Sequence, residues 1–104
     1  MTQKYNALKL NENDNVAVAL RNITEGEWLS IQGSDETVEV RKTIPYGHKI
    51  ATVVIPKDGK ILKYGECMGI ATEDILPGSH VHVFNVRGLK EEERLSTRKE
   101  VHLP

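Results

Sequence analysis

Ile44-Pro45-Tyr46-Gly47-His48-Lys49-Ile50 sets an apolar residue three positions before a glycine and another three positions after it. The same spacing returns as Ile23…Gly26…Leu29 and Ile75…Gly78…Val81, and Pro77 stands ahead of its glycine much as Pro45 does. Each copy reads as a strand end, a sharp reversal that needs glycine, and a new strand start. Small β proteins accumulate such turns, but identical spacing in three copies points to a domain folded back on itself by repeated tight reversals. The interval between copies is too irregular for a solenoid.

The segments around these turns carry strand periodicity. Asn15 to Leu20 alternates, as does Thr37-Val38-Glu39-Val40, and Lys49 to Ile55 is a β-branched run that predicts a strand buried on both faces. Ile61-Leu62-Lys63-Tyr64 and Val81-His82-Val83-Phe84-Asn85-Val86 complete the set. Pro56-Lys57-Asp58-Gly59-Lys60 reads as a hairpin loop, because Asp-Gly tolerates positive φ. Short strands bounded by Gly, Pro, Asn and Asp predict a small all-β domain. From Arg87 onward the composition changes to dense mixed charge with few apolar residues. Such a stretch cannot bury enough apolar area to offset its ordering entropy, so residues 88–104 are expected to be a poorly ordered tail or linker, with one helical turn around Lys90 to Arg94. The domain proper is expected to span 5–87.

At 104 residues the chain has the size of one domain and can build a core without disulfides. Fourteen Lys and Arg balance fifteen Asp and Glu, for a net charge of -1, which argues against nucleic acid as a partner. The longest uncharged apolar stretch, Ile50 to Pro56, falls far short of the roughly 20 residues of a membrane helix, and the N-terminus lacks the apolar run of a signal peptide. The single cysteine, Cys67, cannot form an internal disulfide, so a cytoplasmic location is expected.

Most enzyme templates fail. The chain has no Cys-x-x-Cys, no glycine-rich phosphate loop, no Gly-x-Ser-x-Gly and no His-Glu-x-x-His. Cys67, between Glu66 and Met68, reads as a packing residue. His80 and His82 are two apart in the last predicted strand, so their imidazoles, with Phe84, should leave one face while Val81 and Val83 point into the core. Neutral imidazoles at that spacing can converge on one metal ion. A third ligand would have to come from His48, a carboxylate, a substrate or another chain; the alternative is a pair of solvated histidines. His48 follows a turn whose tip can project it. Lys49, Lys63 and Tyr64 form a second group, in which a cation beside a phenol suits an anionic, hydroxylated ligand, although surface lysines commonly flank aromatics. By residue chemistry alone this is a β module with a histidine-rich face and no complete active site.

Four motifs in order carry a resemblance. They are Asp14 to Leu20, Ile44 to Ala51, Lys63-Tyr64-Gly65-Glu66-x-x-Gly69-x-Ala71, and Gly78-Ser79-His80-Val81-His82-Val83-Phe84-Asn85. Together they resemble the SAF domain of the altronate and galactarate dehydratase family, across about residues 5 to 87. The resemblance implies a small β-clip, antifreeze-like fold. It also implies the N-terminal domain or small subunit of a sugar-acid dehydratase, a hydro-lyase of carbohydrate acid metabolism, with the large catalytic part elsewhere. That large part and a sugar-acid substrate would be its partners; self-association is left open, and no activity is expected of the chain alone. A stand-alone sugar-acid or polyol binding module, or the small subunit of a sulfolactate sulfo-lyase, are the alternatives. A divalent metal such as iron(II) is implied for the full enzyme. Carried onto this sequence, the catalytic residues would be His48 and His82, the substrate-binding residues Lys49, Lys63, Tyr64 and Asn85, and the metal ligands His80 and His82. Relatives similar to altronate dehydratase often have a third histidine where this chain has Phe84, so a three-imidazole set here requires the fold to bring His48 close.

Overall fold

The computed structural model describes residues 4–94. Eight short strands make two sheets. The larger contains β1 (Ala7–Leu8), β2 (Val16–Ala19), β3 (Ile31–Gln32), β4 (Lys49–Ala51) and β7 (His80–Val81), in the order β3-β1-β2-β4-β7. Its pairs are antiparallel except β1 with β3. The smaller, in the order β5-β6-β8, contains β5 (Lys60–Lys63), β6 (Glu66–Ala71) and β8 (Val86–Arg87). Apart from one helical turn at 91–94 the described chain is strand, bridge and turn, the all-β class that the sequence predicts.

The repeated spacing makes its turns, and makes four of them. The third residue of each has positive φ: Gly26 at 91°, Gly47 at 82°, Asp58 at 70° and Gly78 at 87°. In each, the fourth residue's N–H donates to the first residue's carbonyl, as from His48 to Pro45 at 3.1 Å and from Ser79 to Leu76 at 3.1 Å. The third N–H reaches a neighbouring segment, Gly26 to Val40 O, Gly47 to Ala19 O, Asp58 to Ala71 O and Gly78 to Ala51 O, at 2.8 to 2.9 Å. Each turn is thereby clipped to a neighbouring stretch of chain. The isoleucines that lead into the turns pair across the molecule, Ile23 with Ile44 and Ile55 with Ile75, and all four are buried. Asp58 hides the fourth copy from any search for glycine, yet it tolerates the same left-handed backbone.

Two apolar clusters fill the interior. Ala17, Ala19 and Ile50 point into one, with Ile23, Leu29, Ile31, Val38, Val40 and Ile44. Val16 and Ala51 point into the other, with Ile55, Ile61, Ala71, Ile75 and Val81. Strands β2 and β4 therefore separate the clusters and alternate between them, because successive strand residues face opposite sides.

Three sequence expectations are corrected. The strand that begins at Lys49 ends at Ala51, and Val53 and Val54 are exposed, so the run to Ile55 is not one strand buried on both faces. The Pro56 to Lys60 turn is not a hairpin, since Ile55 bridges Ile75 while β5 pairs with β6. The hairpin lies one strand later, at Tyr64 (φ 60°) and Gly65 (φ 74°), the two positive values a two-residue connection requires. The strand at Val81 also stops there, and Val83 is 81% exposed rather than in the core. The Asn85 side chain causes this: its Oδ1 accepts the His82 N–H at 2.9 Å and its Nδ2 donates to His80 O at 2.9 Å, folding 82–85 into a turn. Residues 91–94 form the expected helical turn, held by Arg87 to Glu93; the rest of the expected tail, 95–104, lies outside the described residues.

One turn is pinned by charge. The Arg21 guanidinium first, and the Thr24 N–H second, hold the Glu27 carboxyl down at about 2. A carboxylate with a depressed native pKa stabilises the fold above its unfolded pKa of about 4.3, and that contribution is lost as pH falls toward 2. Glu27→Gln is therefore expected to flatten the acid limb of the urea midpoint between about pH 5 and 2, and to do so less in high salt. An unchanged acid limb at low salt would count against this pairing.

Candidate functional site

Two clipped turns place the histidines. His48 is the last residue of the Pro45 turn, and its carbonyl accepts the Ala19 N–H at 2.9 Å. His80 opens β7 and sits opposite Ile50 in the β4–β7 ladder, so it is brought alongside the strand that His48 leads into. His82 follows β7 on the turn that Asn85 closes. The three rings meet: centroids are 5.0 Å apart for His48 and His80, 4.4 Å for His48 and His82, and 5.3 Å for His80 and His82. One nitrogen from each lies within 4.8 Å of the others. His48 supplies the third imidazole, and the Phe84 ring packs on His80 at 5.4 Å.

His48 Nδ1 and His80 Nε2 are 2.8 Å apart, a contact in which one nitrogen donates and the other accepts. Burial first, then the proximity of His48, His82 and Lys49, holds the His80 imidazole below its ordinary pKa. That shift favours the neutral imidazole, the form that accepts a proton or a metal.

The other expected site residues divide. Lys49 is half-buried beside the histidines; burial, then repulsion from Lys63, lowers its pKa. Lys49 and His82 line one cleft of about 290 Å³ with Met68, Val83 and Arg87. Lys63 lies over the Tyr64 ring, 5.5 Å from its centroid, at the tip of the β5–β6 hairpin. Asn85 is 4% exposed, borders a cleft with His80 and Phe84, and has both ends of its amide engaged with the backbone, so it braces His80 and His82. His80 and Phe84 line a second cleft with Arg41, Lys42, Glu73 and Asp74.

Two residues outside the expected site brace the β5–β6 hairpin. The buried Asp14 carboxylate accepts the N–H groups of Tyr64 and Gly65 at 2.9 and 2.8 Å. Asn15 accepts Leu62 N–H and donates to Lys60 O, each at 2.8 Å. An acid and an amide side by side ahead of a strand are a capping signal, though nothing local says which turn they cap. Exposed Met68, Val83 and Phe84 lie around the histidines, an apolar rim that the alternating pattern concealed. Among the described residues no helix is long and apolar enough to cross a membrane.

The family model of the altronate/galactarate dehydratase SAF domain matches residues 5–89. Altronate dehydratase of Bacillus subtilis (strain 168) is 42% identical over 80 residues, covering 77% of this chain but 16% of that protein. The Escherichia coli (strain K12) enzyme of the same name is 41% identical over 80 residues, with the same coverage. The (2R)-sulfolactate sulfo-lyase subunit alpha of Chromohalobacter salexigens is 34% identical over 74 residues, covering 67% of this chain and 79% of that subunit. The chain thus spans a small fraction of the dehydratases and most of the sulfo-lyase subunit, and on the match over 5–89 it belongs to the altronate/galactarate dehydratase SAF domain family.

Proposed function

We propose that this domain is the small part of an altronate dehydratase-like hydro-lyase, contributing one wall of a sugar-acid site whose main machinery lies in a separate large domain or subunit. The observation that carries the reading is the meeting of His48, His80 and His82 on a partly open face with Lys49 beside them. Eliminating water from a sugar acid requires removal of the proton α to a carboxylate and protonation of the departing hydroxyl. Imidazoles suit both transfers near neutral pH, so His48 and His82 are the assigned proton carriers and the Lys49 ammonium the partner for the substrate carboxylate. Lys63, close enough to repel Lys49, and Tyr64 beneath it are assigned as further substrate contacts.

The donor set fits a divalent metal, because three imidazole nitrogens on a partly open face can hold one and leave coordination positions free. His80 and His82, with His48, would be the ligands, and with the ion bound the proton transfers would fall to groups of the large part. When bound, such an ion stabilises charge developing on the substrate carboxylate and the leaving hydroxyl. This chain's residues orient the substrate and exclude water at the apolar rim. The same arrangement serves a sulfo-lyase small subunit, in which sulfite leaves in place of water.

The chain alone cannot supply metal ligands, an acid and a base at once from three imidazoles. The purified chain is therefore expected to show no dehydration of altronate or galactarate and no sulfite release from sulfolactate, with or without added metal. Co-expression with the large part should yield a complex with turnover on one of them. Turnover by the isolated chain, or full activity of the large part without it, would overturn the accessory reading.

A further inference from the structure

The histidine face is bordered by apolar side chains that the domain leaves uncovered. Met68 is 49%, Val83 81% and Phe84 60% exposed. Met68 and Val83 line the cleft of Lys49 and His82, while Phe84 follows Val83 and packs on His80. The buried Asn85 amide fixes the 82–85 turn through its bonds to His82 N–H and His80 O, so the backbone itself presents Val83 and Phe84 outward. Side chains held in this way lose little freedom when something packs on them, which is what a binding anchor requires. We infer that Met68, Val83 and Phe84 are the anchor by which this domain docks on the large catalytic part of its enzyme, and that the surface received there is apolar at its centre and acidic beside Lys49 and Lys63. The inference rests on the lyase reading for the identity of the partner and adds the docking surface and its chemistry.

Charge and chain direction name the occupant. Among the described residues the cleft beside Val83 is lined by Lys49, His82 and Arg87 and by no carboxylate. Arg87 is bonded to Glu93 at 2.9 and 3.0 Å, but Lys49 and Lys63 repel each other, and among the described residues neither is in an ion pair. Two uncompensated ammoniums, one of them half-buried, are relieved by carboxylates brought from outside. A second copy of the same face would set these cations against one another, which disfavours a symmetric dimer through it. Beyond Phe84 the second cleft holds both signs, Arg41 and Lys42 with Glu73 and Asp74, and selects for neither. The described chain also leaves the fold here. Gly88 lines the Val83 cleft, and the helical turn at 91–94 is bound to Arg87, so sequence beyond that turn starts beside this face. A large part joined at that point is held at high effective concentration against Val83 and Phe84.

The test uses the full 104-residue chain and the separately purified large part of the same enzyme, titrated by calorimetry. The unaltered chain is expected to form an equimolar complex that weakens about 3-fold or more between about 50 and about 300 mM salt. The double variant Val83→Ser with Phe84→Ser, and Met68→Ser alone, should each weaken binding by about 10-fold or more. Trp28→Ser removes an exposed aromatic that lines neither cleft and should leave the affinity unchanged. Far-UV circular dichroism checks that each variant is folded. Sedimentation of the chain alone should show a monomer. Unchanged affinity in the folded Val83 and Phe84 double variant overturns the surface and leaves the lyase reading standing, whereas failure of the unaltered chain to bind the large part overturns both. Affinity that is independent of salt overturns the acidic character of the partner surface. A dimer of the chain alone that Phe84→Ser dissociates would make a second copy the occupant and overturn the inference.

Discussion

In the assembled enzyme, His82→Ala is expected to lower turnover by about 100-fold or more while leaving the melting temperature of the isolated domain almost unmoved. His82 is half-exposed, and its backbone is fixed by Asn85 rather than by its own ring, so truncation removes no core contact. The stability cost should be about 0.5 kcal/mol, as for most surface substitutions. The control must be Val81 and not Val83. Alternation from Val81 would bury both, but Val83 is 81% exposed and Val81 is 0% exposed. Val83→Ala should therefore leave stability unchanged, whereas Val81→Ala should cost on the order of 1–2 kcal/mol. Wild-type turnover and wild-type metal affinity in the His82→Ala assembly would remove His82 from the site and leave this face a structural role.

Gly78→Ala is expected to have the largest effect on folding. Gly78 combines a φ of 87° with a backbone so close to its neighbour that an added Cβ would lie 2.0 Å from Glu39 O. The left-handed backbone alone costs an alanine about 1–2 kcal/mol. The clash must be relieved by moving Glu39, and Arg41, two residues on, donates its N–H to Gly78 O at 2.9 Å, so the clip itself is disrupted. A total of about 4 kcal/mol or more is a large share of a small domain's stability and should lower the melting temperature by about 15–30 °C. Gly47→Ala is the internal comparison. Its φ is 82°, but an added Cβ meets nothing within 4 Å, so it should pay only the backbone cost. Equal melting temperatures for the two variants would show that close approach at Gly78 contributes nothing.

The sequence by itself determined the elements whose causes are local. A left-handed turn residue must be Gly, or a short polar side chain such as Asp58, so the turn spacing is written directly in residue type. The all-β class follows from strand-length apolar runs between such turns, and the pairing of His80 with His82 from their separation of two. The family resemblance rests on those same short motifs. What only the tertiary structure decided depends on which segments pair. His48 and His80 are far apart in sequence and meet because β4 pairs with β7, a choice made by burial of Ile50, Ala51 and Val81. Asp14 reaches the Tyr64 hairpin because the adjacent Asn15 is bonded to Leu62 and Lys60 of β5, a pairing between segments that no local pattern predicts. Val83 and Asn85 mark the sharpest divergence. Alternation says that Val83 is inward, but alternation holds only while a strand continues, and the Asn85 amide ends the strand by capturing the His82 N–H and the His80 carbonyl. That capture releases Val83 to the rim and makes Asn85 the brace that holds two histidines in place.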